Sequence, residues 1–415
     1  MVNSCSATRL KRRHRQEKLF QFCGLMSVVF AIAFLVLLFG FIASKGHKAF
    51  LRSEIAVVVD LSKIGLSEEI NYRKLVKDSL RQNFSEINES DLYQLLSKAA
   101  TVEVKKRVDR VRNSMVAVAM RGNQVTENKP TILWLSAAAK YDAAFKNHDH
   151  SVLNESQQKI LQQLIEKNKI KTAFNWEFFT FADSREAEIA GIAAGFTGSF
   201  LMVLVFMLLA FPIGVACAFY LEEFAPKNHL TDIVEVSINN LAAIPSIIYG
   251  LLGLVIYIQM WHFPRSSALV GGLTLFMLVL PVVVIATRNA IRLIPSSIRD
   301  AAAGLGATKM QIAFHHILPL SVPGIMTGTI LAVSRALGET APLLMIGMIA
   351  FVADVPQDLM DATTALPVQI YLWSDSPENA FAQKTAAAIV VLLVVLVALN
   401  SVAVLIRRKF ERVWG

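Results

Sequence analysis

Along the chain, apolar residues gather into six long runs separated by polar stretches of very unequal length. The runs are Phe22 to Ala43, Ile189 to Leu221, Ile233 to Ile258, Ala268 to Thr287, Leu320 to Phe351 and Thr385 to Ile406. A helix rises about 1.5 Å per residue, so roughly 20 apolar residues cross a hydrocarbon core. Each run is therefore expected to form one transmembrane span. The second and fifth exceed that length and are expected to be tilted, broken or partly outside the membrane. Pro212, Pro245, Pro281, Pro323 and Pro342 fall inside the runs; such kinks are tolerated where neighbours or a cavity satisfy the freed carbonyls.

The segment 44–188 has another rhythm. EIAVVVDL, VAVAMRG and PTILWLS read as strands and NYRKLVKDSLRQNF as a helix. About 145 residues are enough for an independent core, so a small α+β domain is expected.

Composition agrees with the pattern. The chain is 54% hydrophobic and 18% charged, and its mean hydropathy of +0.49 is that of a membrane protein. The expected fold class is an all-α polytopic membrane protein: six transmembrane helices with an inserted small α+β extracytoplasmic domain. The net charge of +9 is concentrated near span ends, in RLKRRHRQEK before the first run and RRKFER after the last. The positive-inside rule then makes residues 1–21 and 407–415 cytoplasmic tails, places 44–188 outside (periplasmic), and leaves 189–406 as a five-helix core. The loop with Arg288, Arg292, Arg299 and Lys309 is cytoplasmic by the same rule. The first run is too long for a cleavable signal and lacks a small-residue cleavage site, so it is taken as a retained span.

Several chemistries are excluded. Basic residues are not interleaved with aromatics, which assigns the charge to the lipid bilayer and not to nucleic acid. Cys5, Cys23 and Cys217 have no CxxC spacing and no histidine cluster beside them, so neither a disulfide framework nor a zinc site is implied. His148 and His150, in NHDHS, read as a solvated loop. GLGATKM lacks the spacing and the hydroxyl after lysine of a nucleotide-binding loop, and there is no nucleophile elbow or HExxH. No catalytic residue, metal or cofactor is assigned to this chain, and its energy must come from another subunit.

Two stretches carry chemistry. In the loop 288–319, apolar residues at helical spacing form two pieces around Gly304 and Gly306. A helix, a turn and a second helix are expected, with Gly306 free to take a left-handed backbone and Ala301 to Ala303 offering a small face to a partner. The second stretch is RALGETAPLL, Arg335 to Leu344, inside the fifth run. An arginine at the bilayer centre costs ~2.5 kcal/mol or more, so it faces a partner or a watery cavity. Arg335 and Glu339 are four residues apart, which on a helix puts them on one face. A guanidinium partly balanced by a carboxylate suits passage of an oxyanion, attracting it without trapping it. The alternative role is structural, locking two helices together. In either case TAP, directly after Glu339, is expected to break the helix where the charges sit.

The loop resembles the permease subunits of ABC importers, whose motif reads EAA, three residues, Gly, nine residues, Ile, one residue, Leu-Pro. Asp300-Ala301-Ala302 stands for EAA, Gly306 keeps the spacing, and Leu318-Pro319 closes it. Asp300 replaces glutamate, and His316 holds the isoleucine place with Ile317 one residue late. The stretches AFPIGVACAFYLEEFAP, LAAIPSIIYGLLGL and PGIMTGTILAVSRALGETAPLLMIG extend the resemblance to the PstA family of phosphate permeases over Phe200 to Gly347. Ile285 stands where some members carry arginine, and Arg288 is expected to snorkel at the cytoplasmic end. The resemblance implies phosphate import across a bacterial inner membrane by alternating access, with the basic residue of this motif, Arg335, in the pathway beside Glu339. It also implies a loop docked on an ATPase dimer (PstB-like) that uses ATP and Mg, a second permease (PstC-like) and a periplasmic phosphate-binding protein (PstS-like). Another oxyanion, sulfate or molybdate, or a membrane-anchored sensor or scaffold are the alternatives.

Overall fold

The computed structural model describes residues 2–59, 72–83, 94–97, 100–101, 103–105, 131–147, 153–349 and 351–410. The expected strand at VAVAMRG and the pair His148 and His150 lie outside the described residues. The chain begins with α1 (Val2–Gly46), a single helix through the first apolar run, followed by a 3-10 turn (His47–Phe50).

The polar domain is built on β1 (Leu51–Val59). Ile55, Val57 and Val59 are fully buried on one face, as the alternation of a strand requires. Antiparallel partners flank it on both edges: β2 (Thr131–Ser136), with Ile55 opposite Leu135, and β3 (Ile170–Phe174), with Ile55 opposite Ile170. Helices α2 (Tyr72–Asn83), α3 (Ala139–Asn147) and α4 (Glu155–Glu166) accompany the sheet, giving an apolar core that includes Leu80, Leu135, Tyr141 and Leu161. β3, α3 and α4 were not among the expected elements. The short IKTAF of β3 alternates weakly and is a strand because it pairs with β1. Arg52 ties the sheet to its surroundings, with Glu54, Glu103 and Glu177 at 2.7, 3.1 and 2.8 Å.

After a single turn, α5 (Glu177–Thr180), come the membrane helices. α6 (Ala193–Phe219) continues into a π-helical turn (Tyr220–Phe224). α7 (His229–Ala243) and α8 (Ser246–Gly253, extended by a π segment, Leu254–Met260) are bent from one another by 98°. α9 (Ala268–Arg292) is the central span, packed on α6 and buried at Val279, Val283 and Thr287. α10 (Ser296–Gly304) and α11 (Lys309–Gln311) form the loop, and α12 (Leu318–Gly338) follows through a π segment (Ile312–Ile317). α13 (Ala341–Met345), α14 (Leu366–Ser374) and α15 (Asn379–Phe410) complete the chain.

Among the described residues, five helices are long and apolar enough to cross a membrane, and six if α7 and α8 count as one broken span. The fifth run is one continuous helix only to Gly338 and resumes as the short α13. One boundary differs from expectation. Arg288 and Arg292 belong to α9 and not to the loop, which begins after Arg292, because the apolar face of α9 continues one turn past Thr287 through Ala290 and Ile291.

Candidate functional site: a double helix break and a coupling loop

Two interruptions of membrane helices face each other. Pro245 bars the α region to Ile244, whose φ of −65° and ψ of 134° end α7, and α8 starts at a new angle. Tyr249, 3% exposed, bridges the bend by donating its hydroxyl to the Leu241 carbonyl at 2.6 Å. The other break follows Gly338. Pro342 has no N–H for the Gly338 carbonyl, Glu339 is extended (φ −78°, ψ 120°), and α13 begins two residues on. A Cβ built on Gly250 would lie 2.6 Å from the Pro342 carbonyl oxygen, so α8 and α13 touch backbone to backbone.

Arg335 sits in the last turn of α12 with its Nε 3.5 Å from Glu339 Oε1. The pair meets across the helix end and not along one helical face, since Glu339 has left the helix. The Arg335 side chain is 53% exposed and the Glu339 side chain 20%. More than half of the guanidinium side chain is accessible, and its counter-charge is held loosely. The guanidinium lies within electrostatic reach of Tyr249 in the facing break. A cavity of about 480 Å³ lies elsewhere, between Ser53, Lys146 and Lys384, and does not touch Arg335.

The coupling loop is a second centre. Gly306 has φ +84°, the left-handed backbone expected of it. Thr308 and Gln311 then cap α11 reciprocally: Gln311 N–H donates to Thr308 Oγ1, and Thr308 N–H to Gln311 Oε1 at 2.9 Å. Asp300, Ala301, Gly306 and Pro319 are exposed and Leu318 is half-buried, whereas Ala302 turns inward against Ile312 and Ile317. The small face offered outward is therefore Ala301 and Ala303 without Ala302. A π turn accommodates one residue more than an α turn. Ile317, one place late against the motif, still reaches the core with no exposure, while His316 faces out.

Three carboxylates receive the arginines here: Glu223 ties the loop to α6, and Glu222 and Glu235 hold the end of α9. Arg299 of α10 binds Glu223 at 2.8 Å and the carbonyls of Ile294 and Ile291 at 2.9 and 3.3 Å. Arg288 does not snorkel. It is 4% exposed and held by Glu222 at 2.6 Å and by Glu235. Arg292 meets the same two carboxylates at 2.9 and 3.5 Å. Glu235 lies inside the third apolar run, and the reasoning that picked out Arg335, a charge that hydrocarbon would reject, would have found it.

Among the described residues no group of histidine, cysteine and acidic side chains could hold a metal ion; Cys23 and Cys217 are free thiols.

Comparison with known proteins follows this architecture. Residues 210–412 match a family model described as binding-protein-dependent transport system inner membrane component, and residues 7–155 match a domain of unknown function. The chain is 33% identical over 172 residues to the probable ABC transporter permease protein YqgI of Bacillus subtilis (strain 168), which covers 41% of this chain and 58% of that protein. It is 30% identical over 231 residues to the phosphate transport system permease protein PstA of Mycobacterium leprae (strain TN), covering 55% of this chain and 75% of that one. Among solved structures, an inward-facing form of the MetNI methionine ABC transporter aligns at 18% identity and a TM-score of 0.41, over 52% of this chain and 92% of that one.

Proposed function

Because the chain belongs to the PstA family of phosphate transport system permeases, we propose that Arg335 and Glu339 line the path by which it carries inorganic phosphate across the inner membrane. As an ABC importer permease it is a multi-pass membrane subunit that works with an ATPase, a substrate-binding protein and a second permease. In the Pst arrangement these are a PstB-like dimer that consumes ATP and Mg, a PstS-like periplasmic phosphate-binding protein and a PstC-like permease. Both termini are then cytoplasmic and 44–188 periplasmic, beside the mouth of the path.

The carrying observation is the half-exposed Arg335 at a helix break, 3.5 Å from Glu339 and opposite a second broken span. Broken helices with charge at the break are a recurrent form of transport site. The guanidinium offers several donors to a phosphate oxyanion, and Glu339 competes for it, so the anion is held weakly enough to leave. Asp300, Ala301, Gly306, Leu318 and Pro319 form the surface through which ATPase closure moves α10, with Ala302 as its inner support. Arg299 passes that motion to α6 and α9.

The test is ATP-dependent uptake of radiolabelled phosphate into vesicles holding the reconstituted complex, wild type against Arg335→Gln. The expected result is an assembled mutant that hydrolyses ATP and moves no phosphate. Undiminished uptake would make the pair structural, and a wild type that moves only another oxyanion would overturn the substrate while leaving the permease.

A further inference from the structure

Four aromatic rings form a continuous outward stack beside the point where the first membrane helix ends. Trp176 packs on Phe174 at 4.8 Å between centroids, Phe174 on Phe179 at 6.0 Å, and Phe179 on Phe50 at 5.9 Å, the last two pairs nearly parallel. Behind them Phe178, with no exposure, stands edge-on to Phe50 and Phe179 and reaches Trp373 of the membrane core. The outer rings are left bare: Trp176 is 69% exposed, Phe174 43% and Phe179 36%.

Their height relative to the membrane follows from the backbone. At Gly46 the end of α1 lies directly on α15, since a Cβ there would be 2.9 Å from the Ala386 carbonyl carbon and the Ala387 nitrogen. The apolar run of α15 begins at that level, at Thr385. From Gly46 the chain makes one 3-10 turn of four residues to Phe50, a rise of about 8 Å. Asn175 is fixed at that height, its N–H donating to the Phe50 carbonyl at 2.8 Å and its side-chain amide to the Ala49 carbonyl at 3.1 Å. The headgroup zone extends roughly 5–7 Å beyond the hydrocarbon on each side. The four-residue turn rises at most about 8 Å, which brings the stack to the outer edge of that zone, at the rim of the layer where tryptophan and other amphipathic rings concentrate.

We infer that Trp176, Phe174 and Phe179 are a lipid-facing foot, set into the headgroup zone of the leaflet on the domain's side of the membrane. The apolar residues of α1 are likewise exposed along its length. Through Phe178 and Asn175 the foot is rigidly joined to both the sheet and the span ends, so lipid contact would fix the orientation of the polar domain. The inference rests on the membrane-spanning character of the chain and not on its substrate.

The experiment is tryptophan fluorescence of the assembled complex in vesicles made with brominated phospholipids, taken as the difference between wild type and Trp176→Phe. Subtraction cancels every other tryptophan, including those of partner subunits. The difference spectrum is expected to be blue-shifted and quenched more by bromine near the headgroup end of the acyl chain than near its terminus. If Trp176 emission is red-shifted and quenched by aqueous iodide, the foot faces water and the inference falls. If neither quencher reaches it, another subunit covers the stack and the lipid assignment is equally overturned. Phe179→Trp in the Trp176→Phe background reads the second ring and must give the same depth.

Discussion

Arg299 grips Glu223 with two nitrogens, Nη2 at 2.8 Å and Nε at 3.2 Å from the same carboxylate oxygen, and caps the end of α9 through the Ile291 and Ile294 carbonyls. One side chain of the short helix α10 is thereby fastened to two spans. A displacement of α10 has to move α6 and α9 together or break this contact.

A hydrogen bond to a charged group is worth roughly 1.5–3 kcal/mol, less where solvent screens it as it does the partly exposed Arg299. Glu223→Gln and Arg299→Gln are accordingly expected to leave ATP hydrolysis by the assembled complex near wild type and to lower phosphate moved per ATP severalfold. Uptake and hydrolysis measured on the same vesicles check this. A proportional loss of both would make the contact one of assembly.

The Arg288 cluster is an ion-pair network within the spans, and removing one partner leaves a buried charge uncompensated at roughly 3–5 kcal/mol. Glu222→Gln and Arg288→Met are each expected to lower the unfolding midpoint in detergent clearly. Together they should cost less than the sum of the two, since the first change leaves the cation without its 2.6 Å partner. A double-mutant cycle reads the difference, and additivity would show that the two side chains do not act on each other.

Glu339→Gln removes the counter-charge beside Arg335 without changing shape. The anion then competes with nothing for the guanidinium. Half-saturation by phosphate is expected to fall and the maximal rate to fall with it, because tighter holding slows release. Uptake kinetics over a phosphate series distinguish this from a structural loss, which would leave half-saturation unchanged.

Gly250→Ala forces a methyl to 2.6 Å from the Pro342 carbonyl oxygen and 2.7 Å from its Cα. Both are backbone atoms and cannot rotate away, so the two helix breaks are driven apart at a cost of about 1–3 kcal/mol. Reduced thermal stability and lost uptake are expected, whereas Gly304→Ala, with nothing within 4 Å, should keep both.

Burial holds the Asp183 carboxyl above its usual range, against the hydrogen bond that Trp373 Nε1 donates to it at 2.9 Å. A raised carboxyl makes the folded state bind its proton at higher pH than the unfolded state. Its contribution is then fullest under acid and is lost as pH rises through the folded value. Relative to Asp183→Asn, which keeps the acceptor and cannot titrate, wild type should gain stability as pH falls from neutral into the ordinary carboxylate range. Thermal unfolding of both proteins across that range decides it; parallel curves would refute the raised carboxyl.

Much of the membrane architecture was legible because hydrocarbon imposes one rule everywhere: about 20 apolar residues per span, charges only where something receives them. The helix break at Glu339 and the left-handed Gly306 were legible too, since proline and glycine act on their own backbone. The polar domain was less readable. β3 alternates too weakly to announce itself and exists by pairing with β1, and the rings gathered in FNWEFF meet Phe50 only because the fold brings the two segments together.

Read alone, the amino-acid order dictated the spans, their interruptions and the loop motif, all of which follow from local backbone chemistry and from run length. Which charges meet was decided only in three dimensions. Arg288 finds Glu222 and Arg299 finds Glu223 across chain separations of 66 and 76 residues, so an arginine expected to reach for the interface is turned inward. No local rule carries that information, because it resides in where α6, α9 and α10 come to lie beside one another.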